Sequence, residues 1–248
     1  CTVEKVAVNA VLAGCKPEYM PVLLAALEAS LTDEFGLHGL ICTTMFGSPM
    51  IIVNGPAAKA IGMNSGVNAL GQGNRANATI GRALQLIIRN VGGGRPGEID
   101  RSTLGNPGKY SFCFAEAEDS DWLPLAQERG VEAGRSAVTI FPGEGVQGIV
   151  DQKSRDPESL ARSFALSLRT VDHAKLAMAG DAVLVVSPEH ARVFIDAGWS
   201  KQRLREELEQ LLMAPGAQLV AGSDGIAEGI PARFQDQQVP KFRPGGLL

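Results

Sequence analysis

Two short apolar runs in this chain end in the same way, and that repeat constrains the fold more than any other feature. Ile51-Ile52-Val53 runs into Asn54-Gly55-Pro56 and then into helix-forming residues up to Gly62. Val183-Leu184-Val185-Val186 runs into Ser187-Pro188 and then into a second helical stretch up to Gly198. A few consecutive β-branched residues suit a buried strand, and a proline placed just after them suits the first turn of a helix. Strand–turn–helix units of this kind specify an α/β architecture, in which ligands bind beyond the strand ends. The expected fold is therefore three-layer α/β with mixed or mainly parallel sheets, in two tightly packed lobes with a cleft between them. Residues 1–118 form the first expected lobe and residues 119–248 the second. Any α/β protein can show two such units, so the echo is equally compatible with a fold that has no internal symmetry.

The composition narrows the function classes. With 248 residues, 45% of them apolar and 20% charged, the chain is long enough for one large core or two smaller ones. A net charge of −4 lacks the basic footprint of a nucleic-acid binder. No apolar run approaches the ~18 residues of a membrane span, and no secretory signal opens the chain, so a cytoplasmic location is expected. Cys1, Cys15, Cys42 and Cys113 show no CxxC spacing, which argues against a disulfide framework. His38, His173 and His190 lie far apart, so no metal site is expected from neighbouring ligands. The chain opens on Cys1 rather than Met, which is compatible with trimming, with a fragment or with a processed N-terminus.

Local patterns place the remaining elements. Val3, Val6, Ala7, Ala10 and Val11 recur at helical spacing up to Gly14, and a second helix is expected from Pro17 to Leu31. A Gly/Asn-rich loop at 65–74 leads into a strong helical pattern at 76–91. Strands are expected at 110–114, 137–141 and 182–186, with a short one at 148–151. Helices are expected after Asp156, Ser187 and Ser200.

Three segments carry candidate chemistry. In the first, Glu4, Lys5 and Asn9 precede Cys15, which stands just before a helix start with Lys16 beside it. Helix-end amides and a cation lower a thiol pKa there, so Cys15 is the candidate nucleophile and Lys5 and Glu4 handle protons. The same position suits a small residue in a tight helix–helix turn. The second segment combines Asn64, Asn68, Asn74, Arg75 and Asn77 around glycines, offering amides and a guanidinium to an anion. The competing reading is a loop that hydrogen-bonds itself or a sister subunit. The third joins Gly92-Gly93-Gly94-Arg95 to Gly105–Lys109, two loops resembling a substrate gate with Arg95 and Lys109 as ligand contacts. Cys113, His173 and His190 read as structural.

Three pieces, CTVEKVAVNAVLAGCKPEYMPV, IGMNSGVNALGQGNRANATIGRALQLIIRNVGGGRPGEIDRSTLGNPGKYSFCFAE and SPEHARVFIDAGWSK, resemble the second half of the UGSC family of (seleno)proteins. That resemblance implies a two-part protein whose leading α/β domain carries a Sec/Cys-Gly-Ser-Cys redox motif. It also implies kinship with glycine-reductase-type subunits, which attack carbon–heteroatom bonds and whose precursors are cut at a cysteine. This sequence contains no Cys-Gly-Ser-Cys, so the expectation is that such a domain is a separate chain, was removed, or is dispensable. The expected activity is a cysteine-dependent enzyme, of oxidoreductase, lyase or hydrolase type, acting on a small anionic or amide-bearing molecule, as a homo-oligomer and with a separate thiol or selenol redox domain. Two alternatives stand beside it. One is a non-catalytic partner subunit of a redox protein, exposing an apolar patch. The other is metal-assisted hydrolysis or lyase chemistry through Glu4, Glu116 and a histidine.

Overall fold

The computed structural model describes all residues from Cys1 to Leu248, and the chain divides into two compact units, Cys1–Gln147 and Gly148–Leu248. The division thus falls after Gln147 rather than after Glu118. The reason is strand pairing: residues 137–143 form the third strand of the first unit's sheet, which ties the preceding segment to that unit.

The first unit opens with α1 (Val3–Ala13), capped by the Thr2 hydroxyl and ended by Gly14 in the left-handed region at φ 89°. A single 3₁₀ turn at Pro17–Tyr19 runs directly into α2 (Met20–Ser30), so the expected second helix is present with a tightened first turn. Next come α3 (Leu37–Cys42), β1 (Ser48–Asn54), α4 (Pro56–Ala60) and α5 (Arg75–Asn90). The unit is completed by β2 (Cys113–Ala115), α6 (Leu125–Glu128) and β3 (Ala137–Gly143). The sheet is mixed, in the order β2-β1-β3, with β1 parallel to β2 and antiparallel to β3. Central β1 is buried along its whole length. Its Ile51 and Val53, with Cys113 and Ala115 of β2, pack into one core with Val6, Leu23, Leu27, Ile80, Leu84 and Ile87. Period-2 alternation sends Met50, Ile52 and Phe114 to the opposite face, where they are also buried.

The second unit contains α7 (Pro157–Leu168), α8 (Pro188–Asp196), α9 (Lys201–Leu211), β4 (Ala214–Pro215), α10 (Gly216–Leu219) and β5 (Gln238–Val239). Asp156, Ser187 and Ser200 cap α7, α8 and α9 as the sequence indicates. Phe164 and Phe194 meet at 5.9 Å between ring centroids, and Arg203 stacks over Trp199 at 5.0 Å. Residues 182–186 are not a strand. Ala182 makes a single bridge to Leu247, and Val185 is 55% exposed, so the second strand–turn–helix unit lacks its strand. Residues 148–151 form no strand either. Two buried lysines hold the irregular part together. Lys241 Nζ donates to the carbonyls of Val171, His173 and Leu176, and Lys175 Nζ donates to those of Ser223 and Ile226.

Candidate functional site

The C-terminal end of α1 is laced to the first turns of α5. The Cys15 thiol donates to the Thr79 carbonyl at 3.3 Å, and Arg75 Nε donates to the Gly14 carbonyl at 2.9 Å. Burial pushes the Cys15 thiol above its ordinary pKa, outweighing the opposite pull of Thr79 and Arg75. That reverses the expected thiolate. The sulfur is half-buried at the edge of the core, and that burial outweighs what the helix start at Pro17 and Lys16 would offer a thiolate.

The other expected catalytic groups lie elsewhere. Glu4 and Lys5 are exposed near the start of α1, and neither side chain makes a hydrogen bond or ion pair. Lys5 lies eight residues before the end of α1 at Ala13, a rise of about 12 Å, so Glu4 and Lys5 sit toward the opposite end of the helix from Cys15. Asn9 is buried between helices. Its Nδ2 donates to the Lys5 carbonyl, and its Oδ1 accepts from Asn90 Nδ2 at 2.7 Å, so it clamps α1 to α5.

The asparagine loop bonds chiefly to itself. Asn74 Oδ1 caps α5 by accepting from the Asn77 N–H, while its Nδ2 donates to the Gly62 carbonyl. Asn77 is buried; its Oδ1 accepts from Asn64 N, and its Nδ2 donates to the Asn64 and Ala69 carbonyls. Asn64 closes a turn on Gly66 and Val67, and Asn68, at φ 60°, reaches the Gln72 carbonyl. Each of these asparagines therefore satisfies backbone groups of the same loop, as the burial of Asn77 in particular requires. Arg75 keeps its guanidinium exposed beyond the one bond to Gly14.

The two gate loops are tied down. Lys109 Nζ contacts both oxygens of Asp100 at 2.8 Å in a largely sheltered ion pair. Backbone bonds from Arg101 to Ile41 and from Thr103 to Thr44, and the Asn106 amide to the Phe46 carbonyl, stitch the same stretch to the end of α3 and the segment after it. Arg95 is exposed. Beside the triple glycine lies a cavity of about 360 Å³, floored by Ile41, Ile88 and Ile99 with Asp33 and His38 among its walls.

One polar cluster had only a positional signal in the sequence, the Asn54-Gly55-Pro56 turn at the end of a strand. Asn54 is buried, and its Nδ2 donates to Glu116 at 2.7 Å and to Glu118 at 2.8 Å. Glu118 also accepts from Gly55 N, and Glu116 from Leu125 N. Spacing along the chain cannot reveal that one amide feeds two carboxylates, because those lie in the distant segment that follows β2. Cys113 is buried in the core, and its thiol pKa is raised first by burial. His190 Nε2 lies 2.7 Å from the Asp151 carbonyl, and His173 Nδ1 accepts from Lys175 N, so both histidines serve the fold.

The remaining surface feature is α1 itself. At about 100° per residue, Val8, Val11 and Leu12 fall within roughly 100° of one another, opposite Val6, Asn9, Ala10 and Ala13. Those three side chains are 53%, 75% and 66% exposed. No helix of the chain is long and apolar enough to cross a membrane. Comparison with known protein families, with curated proteins and with solved structures finds no match to this chain.

Proposed function

We propose that this chain is a partner subunit that docks a separate thiol or selenol redox domain on the outer face of α1. The observation that carries the reading is the exposure of Val8, Val11 and Leu12 on a helix whose other face is already buried in the core. Full burial of an aliphatic side chain stabilises by about 1.5–3 kcal/mol, so three adjacent ones supply a strong drive for a partner. Glu4 and Lys5 supply the polar rim that such a patch carries. The identity of the partner comes from the resemblance to two-part (seleno)proteins. The raised thiol pKa of Cys15 supports placing the reactive group on that partner.

The test is a titration of the chain with a purified Cys-Gly-Ser-Cys domain, monitored by calorimetry. Saturable binding is expected, with a loss of at least about a hundredfold in the Val8→Asp/Leu12→Lys double variant and no loss in Cys15→Ser. Equal binding by the double variant, or no binding by the unaltered chain, overturns the reading. A second reading, an enzyme using Cys15 on a small anion, is favoured by one observation, the Arg75 guanidinium close enough to act on that thiol. A large loss confined to Cys15→Ser would support it.

A further inference from the structure

β1 and β2 are the parallel pair, so their carboxyl ends lie on the same edge of the sheet. There β1 ends in Asn54 and Gly55, and β2 runs on to Glu116 and Glu118. A pocket of about 230 Å³ opens at this edge, lined among others by Gly55, Pro56, Lys59, Glu118, Pro124 and Arg135. Crevices beyond the carboxyl ends of parallel strands are where α/β sheets hold small ligands.

The pocket is built rather than incidental. Gly55 turns the chain at φ 86°, and a Cβ placed on it would lie 2.3 Å from the Arg135 carbonyl. That close approach sets the backbone before β3 against the turn after β1. The Asn54 amide fixes Glu118 from below through Nδ2, and its own Oδ1 is buried without a partner. Ser136 Oγ accepts from Ala57 N and pins the start of α4, the helix that carries Lys59.

The charges then define the ligand. Glu118 uses Oε1 for Asn54 and Gly55, which leaves its other oxygen without a hydrogen bond. Lys59 and Arg135 also line the pocket, both are exposed, and the side chain of neither makes a hydrogen bond or an ion pair. Residues of opposite charge thus share one small pocket without pairing to each other. A molecule with complementary ends can join them. We infer that this pocket binds a small zwitterion, whose ammonium is taken by Glu118 and whose carboxylate or phosphate is taken by Lys59 and Arg135. Direct recognition at both ends makes length the selected property, since a single-ended molecule leaves one side of the pocket unpaired. The inference is independent of the docking face on α1, so the two can fail separately.

The experiment is an amide NMR titration of the full chain with glycine, β-alanine, γ-aminobutyrate and phosphoethanolamine, with propionate and propylamine as single-ended controls. Saturable shifts are expected at Gly55, Lys59, Glu118 and Arg135, with one zwitterion bound at least about tenfold more tightly than either control. The phosphoethanolamine arm separates phosphate from carboxylate recognition. Glu118→Gln keeps the acceptor that Asn54 and Gly55 need, and Arg135→Met alters only an exposed side chain. Each is expected to weaken binding about tenfold with little change in the unfolding midpoint. Should Glu118→Gln unfold, Arg135→Met alone decides. Equal binding of zwitterions and controls, shifts confined to other residues, or a folded Arg135→Met variant that binds like the parent overturns the inference.

Discussion

Cys15 and Cys113 hold their protons more tightly in the folded chain than free thiols do, in both cases chiefly because burial disfavours the thiolate. The sign of the consequence comes from proton linkage. As pH rises past about 8.5, the unfolded thiols ionise first while the folded ones stay protonated, so the unfolded state is increasingly favoured. The contribution is fully present below that pH and is lost above it. Urea midpoints measured from neutral pH upward are therefore expected to fall on the alkaline side, and Cys113→Ala is expected to flatten that fall, since Cys113 is the more deeply buried thiol. An unchanged alkaline slope in the variant would show that other groups set it. At the same scale, the asparagines show how far residue type alone can mislead. Amides that read as ligand donors turn out to satisfy backbone groups of their own loop, because only the folded path of residues 62–77 brings those carbonyls within reach.

At the scale of elements, α5 was legible and its packing was not. Ala76 to Val91 carries the helical period in its apolar residues, and the observed helix runs from Arg75 to Asn90 with Asn74 as its cap. The Gly81 in its middle is a weak helix former whose reason appears only in three dimensions. A Cβ there would lie 2.5 Å from Ser111 Oγ and 2.8 Å from the Phe112 backbone nitrogen. Helix propensity alone would favour Gly81→Ala by about 1 kcal/mol, whereas overpacking against backbone costs about 1–3 kcal/mol. With backbone atoms this close steric crowding is the larger effect, so Gly81→Ala is expected to destabilise by up to about 2 kcal/mol in chemical denaturation. A stabilised variant would mean that β2 shifts freely away from α5. The stretch from Ala182 to Val186 makes the opposite case. Its composition is that of a buried strand, yet it gains only the chain end at 246–248 as a hydrogen-bonding neighbour. Strand propensity describes fit to a pleated surface, and no sheet is there to receive it.

For the whole molecule, the division after Gln147 makes a direct prediction. Residues 144–156 contain no helix or strand, and Val146 and Val150 are 65% and 82% exposed. Limited digestion with thermolysin is expected to cut first at Val146 or Val150 and to release fragments matching the two units. An initial cut inside 62–74 or 216–235 would show that those loops open more readily than the connection. The sequence by itself determined most of what depends on near neighbours. The helix caps at Asp156, Ser187 and Ser200, the stop at Gly14, the central strand and the α/β class all arise from periodicity and turn chemistry within a few residues. Tertiary structure decided what depends on distant partners: a mixed sheet of three strands, the place of residues 119–147 in the first unit, and the raised pKa of Cys15. It also decided that Asn54 meets Glu116 and Glu118 at a strand end. Burial and charge pairing arise between segments that the chain brings together only on folding, and local pattern carries no record of which segments those are.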